Sequence, residues 1–275
     1  MMNGGVVRSS GLFPTHSVLF DYCKENSFLP GLHVNLSEGE PLSSKFLISS
    51  LLDSRTSLFF DKTNLRKNLS SVDLHHIYVE IENQIIKFEK IFGTPPLRVD
   101  GHQHCHVLPG IAEVLSRLLP RHNISWIRIP EESLLKHNKP KELIPSLKLV
   151  DGTPMEFYRE VTHQAASARD IFLSVGLQCT DAFVGMLTMG QNMTIDTLQA
   201  CFSAIDQPAT VEMMTHPGYP LEDSDWSSQG CSSLIGPDDF SQSSDRRYEM
   251  DVLLSQEFKD LLKHNHFELC SFNKL

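Results

Sequence analysis

Three short segments hold the residues that could do chemistry. The densest is Asp100-Gly101-His102-Gln103-His104-Cys105-His106. Its Asp and three His recur with a period of two, and in an extended chain they would share one face. Three crowded imidazoles repel one another once protonated, whereas neutral imidazole nitrogen is a good ligand for a divalent metal. A nearby carboxylate can hold the outer ring nitrogen of such a ligand. The alternative is a polar loop whose histidines bond locally. The second segment is Gly31-Leu32-His33-Val34-Asn35-Leu36, a single His in an apolar run. Alone it reads as a core residue. The polar run Ser37-Glu38-Gly39-Glu40 that follows brings it close to a strand end and favours a ligand. The third is Met213-Met214-Thr215-His216-Pro217-Gly218, in which a strand delivers a His just before a sharp turn. Such a His could be a general acid for a leaving group or simply cap the turn. Three strand ends that each present histidine point together to a mononuclear metal hydrolase, whose ion polarises a carbonyl and activates water.

The elements around these segments must hold them in place. Leu97 to Val99 forms a strand leading into Asp100, and Leu32 to Leu36 and Val211 to Thr215 form two more. Leu74, Ile77, Ile81, Ile85, Phe88 and Phe92 recur at three and four, one face of a long helix stopped by Gly93 and Pro95-Pro96. Further helices are expected over 14–26, 109–119, 170–176, 194–205 and 244–264. Strands are expected over 124–129, 182–187 and 267–272, and loops over 131–153 and 221–242. Alternating strands and helices imply parallel pairing, either as a (β/α) barrel or as an open doubly wound sheet. Both carry ligands at the carboxyl ends of their strands. No internal repeat or domain boundary is visible, so residues 1–275 read as one α/β domain.

The chain has 275 residues, 24 basic and 34 acidic, for a net charge of −10. That balance argues against nucleic acid and acidic membrane surfaces as partners. No apolar run reaches the roughly 18–20 residues that span a bilayer. The start shows no basic region leading into an apolar stretch. The 6 cysteines are scattered without a Cys-x-x-Cys pair, which fits reduced thiols in a cytoplasmic protein. A homodimer is compatible with these features. No Arg or Lys cluster lies next to the His segments in the chain, which weighs against a phosphoester substrate.

Taken in order, Gly-Leu-His-Val-Asn-Leu-Ser-Glu-Gly at 31–39, Asp-Gly-His-Gln-His-Cys-His at 100–106 and Thr-His-Pro-Gly-Tyr at 215–219 resemble the YdjC-like carbohydrate deacetylases, which include the chitooligosaccharide deacetylases. The resemblance runs over nearly the whole chain, including Asp239-Phe240 through Arg246. It implies a barrel-like α/β fold and hydrolysis of the N-acetyl group from acetylated amino sugars or oligosaccharides. It implies one divalent metal, Mg²⁺ or Zn²⁺, with His33 and His102 as ligands. Asp100, His104 and His106 would stand behind the ligands or face the substrate, and His216 would be the acid that protonates the leaving amine. The family's third ligand and its catalytic base come from an Asp-Asp-Phe-Gly segment near the N-terminus, and this sequence has no such segment; its first acidic residue is Asp21. The resemblance therefore implies an N-terminally shortened form lacking the first strand, the third ligand and the base. Two His ligands alone should hold a metal weakly. Activity of this form is left open, with a non-catalytic sugar- or protein-binding isoform as the alternative.

Overall fold

A computed structural model describes residues 6–8, 23, 25, 29–136, 155–206, 209–220, 232–233, 236–237, 242–270, 272 and 275. Its strands are β1 (Val6–Arg8), β2 (Gly31–Val34), β3 (Arg98–Gly101), β4 (Trp126–Ile127), β5 (Ala182–Val184) and β6 (Val211–Met213). Strands β1 to β4 form one parallel sheet in that order, and β5 and β6 form a second parallel pair. Two isolated parallel bridges, Trp126 to Gln178 and Glu132 to Phe183, connect the two. The fold is thus α/β with parallel sheets, and among the described strands the ladder does not close into a barrel.

The sheet's two faces differ sharply. Leu32, Val34 and Val99 are fully buried in an apolar cluster with helix α2 (Leu74–Phe92) and helix α3 (Ile111–Arg121). The alternate residues His33, Arg98 and Asp100 lie on the opposite face, as strand geometry requires. A second apolar cluster gathers β5 and β6 with helices α6 (Ile195–Ser203), α7 (Asp245–Leu254) and α8 (Gln256–His264). Among the described residues no helix is long and apolar enough to cross a membrane.

Helix α2 follows its pattern closely. Asp73 caps it by accepting the His75 N–H, and Gly93 ends it in the left-handed region with φ 74°. Ile77, Ile81, Ile85 and Phe88 are buried, whereas Phe92 is partly buried and Leu74, in the first turn, is exposed. The same helix buries two polar side chains. Gln84 accepts the Asn35 N–H at 3.0 Å and donates to the Asn35 carbonyl at 2.7 Å, while Glu80 accepts the N–H groups of Leu42 and Ser43. These bonds fix the chain as it leaves β2 and so set where Glu38 lies.

Other expectations shift. The helix expected over 170–176 is α5 (Met155–Ser174), which starts far earlier. Its buried face is Tyr158, Val161, Ala165, Ala168 and Phe172, and the two alanines weaken the apolar signal. The stretch 244–264 is two helices, α7 and α8, separated at Ser255, whose hydroxyl caps the second. Residues 267–272 form no strand among those described. Their aromatics act singly: Phe267 packs on Phe202 and Phe272 on Trp126. Of the expected helix over 14–26, only Cys23 and Glu25 are described, and both are helical. Within 131–153, Ser133–Lys136 makes a short helix, α4, and the rest lies outside the described residues. Within 221–242, Ser232–Ser233 pairs antiparallel with Gly236–Pro237 as β7 and β8, Gln242 is helical, and the rest again lies outside. A further helix, α1 (Lys62–Asn68), sits in the long connection after β2.

Candidate active site

Register brings the first two site residues together. His33 on β2 is the direct ladder partner of Asp100 on β3. Its Nδ1–H donates to Asp100 Oδ1 at 2.7 Å. The other Asp100 oxygen accepts from Arg98 at 2.8 Å and lies 2.7 Å from Arg128. Both arginines also reach Glu212 Oε1 of β6, each at 2.7 Å. Burial works to raise the Asp100 pKa, but the charges of Arg128, His33 and Arg98 overcome it and hold the carboxyl well below its usual range. Asp100 is therefore an anion whose free choice of partner is gone, and it fixes His33 in one orientation.

The chain after β3 does not run on as a strand. His102–Val107 is a kinked 3₁₀ turn, and Gln103 and His104 have φ of 51° and 60°. Non-glycine residues rarely occupy this left-handed region, at a cost of roughly 1–2 kcal/mol each. Tertiary contacts hold it: Arg66 of α1 donates to the Gln103 carbonyl at 3.4 Å, and Ser37 Oγ donates to Gln103 Oε1 at 2.9 Å. Gly101 has to be glycine, because a Cβ there would lie 2.8 Å from the His106 backbone nitrogen. The three histidines therefore do not share one face, contrary to the period-two reading, because the extended backbone that reading assumes is absent.

Each of them has its own surroundings. His102 turns toward His33, with Nδ1 3.4 Å from His33 Nε2. Its outer nitrogen, Nε2, is 2.5 Å from Glu38 Oε2. His104 is buried, close to His106 and edge-on to Phe183. Burial, with His106, Arg128, Arg66 and His216 nearby, holds its pKa well below the usual value, so it stays neutral. His106 is fully buried and its Nε2–H donates to the Arg128 carbonyl at 3.0 Å. Burial pushes its pKa down to about 3. His216 follows β6, and its backbone N–H donates to Glu249 Oε2 of α7 at 2.5 Å.

The protons on the first pair can be assigned by chemistry. A carboxylate only accepts, so the ring nitrogen facing Asp100 and the one facing Glu38 each carry the hydrogen. The two inner nitrogens, His33 Nε2 and His102 Nδ1, are then both lone-pair donors pointed at each other. At Zn–N distances of about 2.0–2.1 Å, two nitrogens on one tetrahedral ion stand about 3.4 Å apart. The observed spacing fits two ligands of a divalent cation, each backed by a carboxylate on its outer nitrogen. Among the described residues no group of three His, Cys, Asp or Glu side chains is placed to hold a metal.

Sequence reasoning missed several members of this site. Glu38 lies in the polar run after β2 but has no spacing that marks it. Glu249, Glu212 and Arg66 come from distant elements. Three guanidinium groups also gather here, where the linear sequence shows no basic cluster. All three are engaged: Arg98 and Arg128 with Asp100 and Glu212, and Arg66 with Glu160 at 3.0 Å.

The YdjC-like protein family model matches residues 2–264. A carbohydrate deacetylase of Xenopus laevis is 35% identical over 261 residues, covering 89% of this chain and 80% of the relative. A chitooligosaccharide deacetylase of Yersinia enterocolitica is 37% identical over 206 residues, covering 72% of this chain and 78% of the relative. A crystal structure described as a cellobiose-phosphate cleavage protein of Enterococcus faecalis V583 superposes with a TM-score of 0.68, covering 99% of this chain and 87% of that one. At 15% identity that likeness speaks to the fold alone. A family match across nearly the full length, together with relatives at this identity, shows that the chain belongs to the YdjC-like family, whose curated relatives are carbohydrate deacetylases.

Proposed function

We propose that this chain is a metal-dependent deacetylase that hydrolyses the N-acetyl group of an acetylated amino sugar or oligosaccharide. The observation that carries the reading is the facing pair His33 Nε2 and His102 Nδ1, 3.4 Å apart, each ring held from behind by a carboxylate. In this reading those two nitrogens hold a divalent cation, Mg²⁺ or Zn²⁺. Bound there, the cation would polarise the acetyl carbonyl and lower the pKa of an attacking water. Asp100 and Glu38 keep the outer ring protons in place, so both inner nitrogens keep their lone pairs. His216 supplies the proton to the departing amine, which cannot leave as an anion at neutral pH. His104 stays neutral beside Arg128 and contributes no positive charge. The inward convergence of His33, Asp100, Arg98, Arg128 and Glu212 supports a barrel-like interior with a polar lumen.

Incubating the purified chain with an N-acetylated chitooligosaccharide and Mg²⁺ or Zn²⁺ should release acetate, and a chelator should stop it. His102→Ala should abolish the release. Absence of acetate with either metal would sink the catalytic reading. A second reading, sugar binding without turnover, is favoured by the lack of a third metal-ligating side chain among the described residues. Saturable oligosaccharide binding without acetate release would establish it.

A further inference from the structure

Glu249 is 1% exposed, on the second turn of α7, and nothing in the three His segments points to it. Its two oxygens are shared between the loops that follow β5 and β6. Oε1 accepts the Gly190 N–H at 2.7 Å, from 59 residues away, and Oε2 accepts the His216 N–H at 2.5 Å, from 33 residues away. Oε1 also stands 4.0 Å from the ring nitrogen His216 Nδ1. The start of the same helix grips both loops again. Gln191 donates to Asp245 at 2.8 Å, and the Gly218 N–H donates to the Arg246 carbonyl at 3.1 Å. Gly190 has φ 56°, and a Cβ there would collide with Asp245. Packing this tight leaves the carboxylate little freedom to move away from His216.

A loop staple accounts for two acceptor oxygens but not for their place beside an imidazole. Burying an acid is costly, and burial does raise the Glu249 pKa, with Asp245 adding to the effect and Arg246 opposing it. An amide could accept one of the two backbone N–H groups but would turn its own NH2 toward the other, so the two acceptor oxygens belong to the staple. Beyond the staple, the anion adds an electrostatic hold on the facing ring nitrogen, and apo catalytic bonds are commonly long before substrate binds.

We propose that Glu249 is a positioning residue that keeps the His216 proton on Nδ1, turns Nε2 toward the substrate side and favours the imidazolium. The proposal rests on the reading of His216 as the proton donor to the leaving amine. Among the described residues, the charged and titratable groups around the pair include Asp245 and Arg246 from the start of α7 and His104 from the turn after β3. The first two carry opposite charges, and the Glu249 carboxylate stands 4.0 Å from the His216 ring.

The test is nitrogen-detected NMR of the histidine rings across a pH series on the full chain, with His216→Gln assigning the resonance. The expected result is a neutral His216 protonated on Nδ1, with a pKa at least one unit higher than in Glu249→Gln. One unit is a tenfold change in protonation constant. An Nε2-protonated tautomer in the unmodified chain would overturn the proposal, and that measurement needs no change at 249. An unchanged His216 titration in a folded Glu249→Gln would overturn it as well. Acetate release is a separate arm. If the unmodified chain releases none, the deacetylase reading fails, while the ring resonances still decide whether Glu249 governs His216. If it does release acetate, Glu249→Gln should lower kcat at least tenfold and leave KM within about twofold.

Discussion

Glu132 provides a test of the interior that needs no substrate. It is fully buried just after β4 and joins the two sheets, with Oε2 accepting the N–H groups of Gly185 at 3.0 Å and Met186 at 2.8 Å. Oε1 has no hydrogen-bond partner among the described residues. Burial pushes the pKa up to about 7 from 4.5, against the pull of the backbone N–H groups. The sign follows from proton counting. Below pH 4.5 both folded and unfolded chains hold the proton and the group adds no pH dependence. Between 4.5 and 7 the unfolded chain has released it while the folded chain keeps it, so stability falls as pH rises. Above 7 both are ionised and the loss is complete. At 1.36 kcal/mol per unit the loss is about 3 kcal/mol, or about 5 °C in Tm for a chain of this size. Glu132→Gln cannot ionise, so it removes this slope, although an unpartnered amide adds a pH-independent cost of roughly 1–3 kcal/mol. Thermal melts of both proteins from pH 4.5 to 8 should therefore give Tm curves that converge or cross as pH rises, with the difference changing by about 5 °C. Curves parallel to within a degree would refute the assignment of a protonated buried acid at 132.

Three other changes probe separate parts of the molecule. Asp100→Asn leaves Glu212 as the one carboxylate facing Arg98 and Arg128 among the described residues, and breaking one member of such a buried network should cost roughly 3–5 kcal/mol in urea unfolding. Glu38→Gln removes the anion behind His102 from a partly exposed site. Stability should move by under about 1 kcal/mol, while Zn²⁺ affinity by calorimetry should fall roughly 10–100-fold. Ile81→Ala empties a fully buried position on the core face of α2 and should cost roughly 2–5 kcal/mol by denaturant titration, without altering Zn²⁺ affinity.

Local pattern carried the parts of the fold that local pattern can determine. Helix α2 was legible because its isoleucines face one cluster and Asp73 and Gly93 cap it. The strand ends at His33, Asp100 and His216 were legible because apolar residues precede them and polar or turn residues follow. The alternation Leu32-His33-Val34 and Arg98-Val99-Asp100 held further information, since a strand in a fully apolar parallel sheet has no use for Arg and Asp on one face. Read that way, it points to a polar inner face and to a charged partner across it. The conformation of 102–107 was not legible. Its left-handed Gln103 and His104 are selected by Arg66 and Ser37, which lie 37 and 66 residues away in sequence. Glu249 and Glu212 were hidden for the same reason: one acid in a helix or strand has no signature until the chain folds its partners against it.

The arginines bear on what the site can take. On charge alone, three guanidinium groups near a histidine cluster would suit a phosphorylated substrate. The pairing argues otherwise. Arg98 and Arg128 meet Asp100 and Glu212 in a buried set of two cations and two anions, and Arg66 is bonded to Glu160 and Gln164. At Arg98 and Arg128 a phosphate would have to displace Asp100 or Glu212, and the abandoned anion would stay buried at a cost of several kcal/mol. The balance on this floor instead suits a cation above it. The two arginines are neutralised from below, His104 and His106 are kept uncharged by burial, and Glu38 adds a negative charge beside His102. The field where the inner nitrogens of His33 and His102 meet is then set by two lone pairs and a nearby carboxylate, which attract a divalent ion and repel an anion.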